Sequence, residues 1–111
     1  METIEQLSEL TSKISTKQLQ AVFIFSKTCS VCFADKKTVE VISKRHDLPV
    51  YLIEAEKSPE IIGQLNGFSA PTLILFYEGK EIHRQVKIIN FTEAERRITQ
   101  FRKLSKVDNT F

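Results

Sequence analysis

Apolar positions recur along the chain in two different patterns, and the change from one to the other predicts eight elements. Near the start, Ile4, Leu7 and Leu10 return every three or four residues, which is typical of one face of a helix. Continuous apolar runs rich in β-branched and aromatic residues instead indicate buried strands. The predicted helices cover 3–14, 30–46, 59–66 and 92–104, and the predicted strands cover 19–26, 50–55, 72–77 and 81–87.

Short polar motifs mark where several of these helices begin and end. Thr3 with Gln6, and Thr92 with Glu95, have the spacing of capping boxes. Gly67 follows the third helix and predicts its C-terminal stop, since glycine adopts the left-handed conformation that ends many helices. The helix boundaries therefore rest on local chemistry as well as on periodicity.

Inside the helix over 30–46, apolar residues predict the side that faces the core. Ala34, Val39 and Ile42 are expected to point inward, and the charged residues of this helix are expected to point mostly to solvent. Asp47 and Pro49 lie just beyond its predicted end, where the residue before a proline disfavours helix.

The order of the elements predicts an α/β domain. The strand over 50–55 follows a strand and a helix, so we expect it to pair in parallel with 19–26 through a right-handed crossover. The last two strands flank Gly79, which suits a hairpin turn, so they should pair antiparallel. We expect a central mixed four-stranded sheet flanked by helices, in the order α-β-α-β-α-β-β-α, as a single domain over 1–104 with a flexible C-terminal tail over 105–111.

The composition narrows the possible partners and the compartment. At 111 residues, 41% of them apolar, the chain can bury one modest core. Its 16 basic and 14 acidic residues leave a net charge of only +2 without a basic cluster, so no nucleic-acid partner is expected. The acidic, amphipathic N-terminus and the lack of an 18-residue apolar run predict neither a signal peptide nor a membrane partner. We expect a cytoplasmic monomer.

Candidate chemistry lies at Cys29 and Cys32, the only two cysteines, which follow the strand over 19–26 and open the next helix. In a cytosolic protein this spacing is more typical of a redox or metal site than of a structural disulfide. Free backbone N–H groups and the helix dipole stabilise a thiolate on Cys29. Cys32 lies in the first helical turn and should be buried.

A C-x-x-C motif beside a βαβ pattern resembles the thioredoxin family, over roughly residues 1–104. Two further matches support this resemblance. Ala70-Pro71-Thr72 precedes the third strand as a cis-proline segment does in thioredoxins, and Pro59 lies twelve residues before Pro71, a spacing like the family's. The resemblance implies a thioredoxin-like fold with a cis bond before Pro71, opposite the cysteines.

The resemblance also implies which residues meet a substrate. In the family, the backbone at the position of Ala70 pairs with the substrate chain, and Pro71 lies beside it. Thr28, Ser30 and Val31 surround Cys29 and complete the expected substrate-binding set, although Thr28 replaces the family's tryptophan and Ser30-Val31 its Gly-Pro.

A second departure concerns the proton of Cys32. Thioredoxins have a buried aspartate on one strand and a buried lysine on the next, and the aligned residues here are Phe23 and Leu52. Losing both partners together can leave stability unchanged. Water, Glu54 and Asp35 stay open as acceptors for this proton.

The predicted function is that of a thioredoxin-type thiol–disulfide oxidoreductase. Cys29 attacks a target disulfide as a thiolate, and Cys32 then resolves the mixed disulfide by pairing with Cys29. No metal and no cofactor beyond the redox-active Cys29–Cys32 disulfide is expected. The predicted partners are protein disulfide substrates and an upstream reductase.

Other interpretations of the same residues stay open. The cysteines are also compatible with a redox-inert or metal-handling binding module, although His46 and His83 lack the spacing of a zinc site, or with two small buried hydrophobes. A glutaredoxin-like enzyme is disfavoured because 86–92 lacks a Gly-rich turn. Phe68 is expected to be a core residue rather than part of an exposed rim.

Overall fold

A mixed β-sheet with helices on both faces organises the chain in this computed structural model, which describes the backbone of residues 1–110 and the side chains of residues 1–104. All eight predicted elements are present, together with one short additional strand. The elements are β1 (Glu2–Thr3), α1 (Leu7–Ile14), β2 (Leu19–Phe25), α2 (Ser30–His46), β3 (Val50–Glu54), α3 (Pro59–Leu65), β4 (Thr72–Tyr77), β5 (Lys80–Val86) and α4 (Phe91–Thr110).

The sheet has the strand order β1-β3-β2-β4-β5, so β2 lies at its centre. β2 pairs in parallel with β3, in the register Phe23↔Leu52, and antiparallel with β4. β4 and β5 form the predicted antiparallel hairpin. Its turn is Glu78-Gly79, both at positive φ, so β5 begins one residue earlier than predicted. The predicted fold class is confirmed, with five strands instead of four.

The extra strand corrects the prediction for the N-terminus. Glu2 and Thr3 pair in parallel with β3, and the Ile4 N–H donates to the Leu52 carbonyl oxygen at 3.0 Å. Ile4 is fully buried, so its apolar side chain reaches the core from this edge strand. The helix begins only at Leu7, and Gln6 makes no side-chain cap, so the predicted capping box of Thr3 and Gln6 is wrong.

Side chains alternate along β2 between two apolar clusters, one on each face of the sheet. Phe23 belongs to the cluster covered by α2 and α4, and Ile24 to the cluster covered by α1 and α3. Both are fully buried. Because the side-chain period of a strand is two, the central strand is apolar throughout and is held from both sides.

Helix α2 buries a narrower stripe than predicted. Cys32, Val39 and Ile42 are buried and Asp35 is half-buried, at the three- and four-residue spacing of one helix face. Ala34 lies about 200° around the helix from Cys32 and is exposed, so its predicted inward position is wrong.

The end of α3 shows why a glycine follows it. Asn66, not Gly67, adopts the left-handed conformation, with φ 53°. Gly67 is buried, and a Cβ atom there would lie 2.3 Å from Ile24 Cδ1. This glycine is therefore required by close packing rather than by its own φ, which corrects the prediction for the helix stop.

Helix α4 begins with a different cap from the predicted one. The Asn90 side chain accepts a hydrogen bond from the Glu93 N–H at 3.0 Å, whereas Glu95 contacts His46 across the helix pair. The predicted capping box of Thr92 and Glu95 is thus wrong. Ala94 and Ile98 are buried as the periodicity predicts, but Leu104 is 45% exposed.

The backbone of α4 stays helical to Thr110, past the predicted end at 104. The flexibility predicted for 105–111 stays a prediction, because the side chains of 105–110 and all of residue 111 lie outside the described residues. Within the described part of the chain, none of the helices is long and apolar enough to cross a membrane.

Candidate active site

The two cysteines lie where the central strand gives way to helix α2. Cys29 occupies the N-cap of α2 in an extended conformation, and Cys32 is in the first turn. The Cys29 N–H donates to the Ser26 carbonyl oxygen, and the Cys32 N–H donates to the Cys29 carbonyl oxygen, both at 3.2 Å. These bonds hold the two residues at the positive end of the helix dipole.

The surroundings of the two thiols differ sharply. Both are free, Cys29 is half-exposed, and Cys32 is 2% exposed. Burial, followed by a side-chain hydrogen bond with Cys29, raises the pKa of Cys32 to about 11, although a backbone hydrogen bond at Ser26 acts in the opposite direction. The outer thiol is thus accessible, while the inner one is in contact with it and is held protonated at neutral pH.

The loop before β4 faces the outer cysteine. The peptide bond between Ala70 and Pro71 is cis, and the Ala70 carbonyl oxygen accepts a long hydrogen bond from the Cys29 thiol, 3.9 Å from Sγ. Thr72 Oγ1 donates to the Ser69 carbonyl oxygen at 2.6 Å, and the Pro71 carbonyl oxygen accepts from the Lys87 N–H at 2.7 Å. Both bonds hold the Ala70 carbonyl group beside the thiol.

Large apolar side chains are exposed around this loop. Phe68 is 75% exposed, Val31 55% and Ile88 88%. The expectation that Phe68 is a core residue is wrong, because the backbone of neighbouring Gly67 occupies the position next to Ile24. Exposed apolar residues grouped beside a reactive group are typical of a docking surface for a protein partner.

The structure brings together all the residues that the sequence predicts for the site. Thr28 and Ser30 are exposed on either side of Cys29 and Val31 follows them, whereas Ala70 is half-buried and Pro71 is buried. Their roles toward a substrate stay predictions.

A partly enclosed cavity of about 320 Å³ borders the inner cysteine. We call it the Cys32 cavity, and it is lined by Phe25, Ser26, Lys27, Cys32, Phe33, Lys36 and Glu54. The cavity lies on the sheet face that α2 covers.

Glu54 is the carboxylate in this cavity. The residue is 8% exposed, and its Oε2 atom has no hydrogen-bond partner among the described residues. Lys57 Nζ lies 3.8 Å from that oxygen. A buried carboxylate oxygen without a hydrogen bond is costly and uncommon, so it needs an explanation.

Apolar residues occupy the two positions that carry charges in thioredoxins. Phe23 is fully buried and Leu52 is 5% exposed, and they are direct partners across β2 and β3. Asp35, one turn after Cys32, is half-buried, and burial raises its pKa, while its charge further raises the pKa of Cys32.

Glu56 fastens the loop that leads to the cysteines, a role that sequence reasoning missed. Its carboxylate accepts hydrogen bonds from Ser26 Oγ at 2.6 Å and from the Lys27 N–H at 3.2 Å, and Ser26 Oγ is also 3.1 Å from Thr28 Oγ1. The first of these bonds lowers the pKa of Glu56 most. The contact joins residues about thirty positions apart, which no local motif indicates.

The histidines make structural contacts. His46 Nε2 lies 3.0 Å from Glu95 Oε1, and His83 Nε2 lies 2.9 Å from Gln85 Nε2. Within the described residues, no three His, Cys, Asp or Glu side chains are grouped so that they could hold a metal ion.

Comparison with known proteins identifies relatives of low sequence identity that span nearly the whole chain. No family model matches the sequence. The thioredoxin-like protein YdfQ of Bacillus subtilis is 22% identical over 105 residues, which are 94% of this chain and 94% of YdfQ.

Solved structures give the same result for the fold. The thioredoxin of Fasciola hepatica superposes with a TM-score of 0.82 at 21% identity, covering 90% of this chain and 98% of that one. The thioredoxin of Plasmodium falciparum gives 0.81 at 20% identity, with 91% and 99% covered. The chain has the thioredoxin fold, and its predicted resemblance to thioredoxins is confirmed in sequence and in structure.

Proposed function

We propose that the protein is a thiol–disulfide oxidoreductase that exchanges its Cys29/Cys32 dithiol with disulfides of protein substrates. The Cys29 thiolate attacks one sulfur of a substrate disulfide, which releases the other sulfur as a thiolate and leaves a mixed disulfide. Cys32 then attacks Cys29 Sγ, the substrate leaves with both of its sulfurs reduced, and a Cys29–Cys32 disulfide forms. Two electrons pass from the protein to the substrate.

The observation that carries the proposal is the unequal pair of free thiols at one helix start. Cys29 is half-exposed and contacts the buried Cys32 through their side chains. An accessible nucleophile next to a protected resolving thiol is what this two-step exchange requires. The likeness to thioredoxins in fold and sequence supports the same chemistry.

We further propose that a protein substrate binds on the side of Cys29. The Ala70 backbone lies beside the Cys29 thiol and can pair with an extended substrate strand next to its disulfide. Pro71 shapes this notch, Thr28 and Ser30 border it, and the exposed apolar Val31 lies next to them.

Repeated turnover requires a second partner besides the substrate. An upstream dithiol reductase must return the Cys29–Cys32 disulfide to the reduced state after each turnover. A reducing, cytoplasmic compartment and a monomeric state are part of the proposal, and neither a nucleic acid nor a membrane is.

The test is reduction of insulin disulfides by dithiothreitol, with and without the protein. We expect the wild-type protein to accelerate the reaction at least about tenfold, and Cys29→Ser to remove the acceleration. Cys32→Ser should instead form a stable mixed disulfide with the substrate through Cys29, visible by mass spectrometry and reversed by reductant. A wild-type protein without acceleration, or a Cys32→Ser variant that traps nothing, contradicts the proposal.

A further inference from the structure

We infer that Glu54 accepts, through water in the Cys32 cavity, the proton that Cys32 loses when it closes the disulfide with Cys29. The inference rests on the proposed exchange chemistry and adds a residue to its second step. Glu54 and Cys32 line the same cavity, and the buried Glu54 Oε2 atom has no hydrogen-bond partner in the described part of the chain.

The second step needs a proton acceptor because Cys32 is a weak acid in its surroundings. Its pKa is raised to about 11, chiefly by burial. At pH 7 roughly one Cys32 side chain in ten thousand is then a thiolate. Transfer of the proton during the attack avoids this low population.

The strand register places Glu54 under the start of α2. Glu54 pairs with Phe25 across β2 and β3, and Phe23 pairs with Leu52 two residues earlier. Since alternate residues of a strand share a face, Glu54 lies on the face of Leu52, which α2 covers. A carboxylate thus stands two residues along β3 from the apolar pair and on the same face of the sheet.

The Cys32 cavity has room and polar groups for water. Its volume of about 320 Å³ far exceeds the 10–15 Å³ or so that one water needs. Its lining residues include the polar or charged Ser26, Lys36 and Glu54. A water between thiol and carboxylate gives the proton a path that does not require direct contact.

Other charged groups face the same space. Lys27 and Lys36 line the cavity, and Lys57 lies against Glu54. Positive charges thus surround the carboxylate that we infer receives the proton. Asp35 is the competing acceptor, but it is only half-buried and does not line the cavity.

The step balances without an added reactant. A bond forms between Cys32 Sγ and Cys29 Sγ, and the bond between Cys29 Sγ and the substrate sulfur breaks. The bonding pair leaves with the substrate thiolate, and the Cys32 proton passes by way of water to Glu54. Glu54 afterwards loses the proton to solvent through the open side of the cavity.

The test separates the two steps by stopped-flow mixing of the reduced protein with excess 5,5′-dithiobis(2-nitrobenzoate). The first equivalent of thionitrobenzoate reports attack by Cys29, and the second, whose rate does not depend on reagent concentration, reports closure by Cys32. We expect Glu54→Gln to slow the second phase by roughly tenfold to a hundredfold at pH 7 and to leave the first within about twofold.

The pH profile distinguishes proton acceptance from a structural effect. In Glu54→Gln the second rate should rise about tenfold per pH unit between pH 6 and 10, whereas the wild-type rate should be flatter, so that the two converge at high pH. Glu54→Asp should restore part of the wild-type profile, and exposed Glu60→Gln should match wild type throughout.

Two outcomes overturn the inference. The first is an unchanged second phase in Glu54→Gln across this pH range. The second is a slowed second phase in Asp35→Asn with a normal one in Glu54→Gln, which assigns the proton to Asp35. A wild-type protein that releases only one equivalent contradicts the proposed function itself, and is thus distinguishable from both.

Discussion

The two cysteines of the C-x-x-C motif have different surroundings. On the outer side, half-exposed Cys29 faces the Ala70 carbonyl group, and Phe68, two residues before Ala70, is exposed. On the inner side, Cys32 is 2% exposed and borders a cavity that contains the Glu54 carboxylate. Three positions of sequence thus separate the side on which we propose that a substrate binds from the side on which we infer that a proton is accepted.

The helix start explains how identical side chains come to differ. Cys29 precedes the first helical turn and keeps access to solvent, whereas Cys32 begins the buried stripe that continues through Val39. A helix that starts at the edge of a sheet and then runs across it buries its first turn against the strands. The contrast between the thiols is therefore a consequence of backbone position.

The largest expected effect is on the reactivity of Cys32. In a Cys29→Ser variant, iodoacetamide should modify folded Cys32 at least about 100-fold more slowly at pH 8 than the same thiol in urea, because burial remains in this variant, where it both raises the pKa of the thiol and shields it from the reagent. The folded rate should then rise about tenfold per pH unit up to pH 10. Mass spectrometry of the alkylated protein measures both rates.

The urea sample provides the control for this measurement, since unfolding removes burial, the main cause of the raised pKa. A folded rate that levels off near pH 9 would show that Cys32 ionises like an ordinary thiol. The contrast between the two sides would then lie in accessibility alone.

The next largest effect is on the free energy of unfolding, and it concerns the packing of the loop between α3 and β4 against the core. Gly67→Ala should cost about 1–3 kcal/mol, because the new Cβ would lie 2.3 Å from Ile24 Cδ1. Ile24→Val removes that methyl group at a cost of about 0.5–1.5 kcal/mol. The double variant should be more stable than the sum predicts, by about 0.5 kcal/mol or more in urea denaturation.

Gly63→Ala is the matched control, since nothing lies within 4 Å of its added Cβ. It should stabilise α3 by roughly 0.5–1 kcal/mol. Additive effects of Gly67→Ala and Ile24→Val would show that the loop is not held by this close approach.

Sequence periodicity was sufficient for the elements and the cysteines but not for the contacts between distant segments. The apolar run of β2 and the motif at Cys29 are local signals, and both predictions agree with the structure. The two capping boxes failed because the chain offered better alternatives, a strand pairing at Thr3 and the Asn90 side chain. Phe68 was misplaced because periodicity does not apply in loops.

The surroundings of Cys32 could not be predicted from local sequence either, because they are formed by residues far apart in the chain. Glu54 was one of several candidates in the sequence, but the cavity that it shares with Cys32 depends on how α2 lies over β2 and β3. The bond between Glu56 and Ser26 likewise joins two loops at the ends of parallel strands. Such groups meet only through the tertiary fold.

A smaller effect is expected on the KM for protein substrates when the exposed Phe68 side chain is removed. Phe68→Ser should raise the KM for insulin about tenfold, equivalent to losing about 1.4 kcal/mol of apolar contact. Reaction with a small disulfide reagent should not change, because such a reagent has no chain that could bury the exposed Phe68 side chain. Val41→Ser, which changes an exposed apolar residue of α2 instead, is the control. Equal losses in both variants would argue against a docking surface beside Cys29.

The smallest effect is expected on the Tm when the contact between Glu56 and the loop before Cys29 is removed. The Glu56 carboxylate accepts hydrogen bonds from Ser26 and from the Lys27 N–H, and the first of these lowers its pKa below 4.5. A carboxyl group whose pKa is lower in the folded state stabilises the protein above the unfolded-state pKa, and that stability is lost as the pH falls through the folded-state value. Glu56→Gln should therefore lower the Tm by about 1–3 °C at pH 7 and by less as the pH drops below 4.5. Thermal unfolding followed by circular dichroism, with exposed Glu5→Gln as the control, measures the difference. If the two variants show the same Tm at every pH, the carboxylate does not fasten the loop, and the position of Ser26 and Lys27 along the Cys32 cavity depends on the backbone alone.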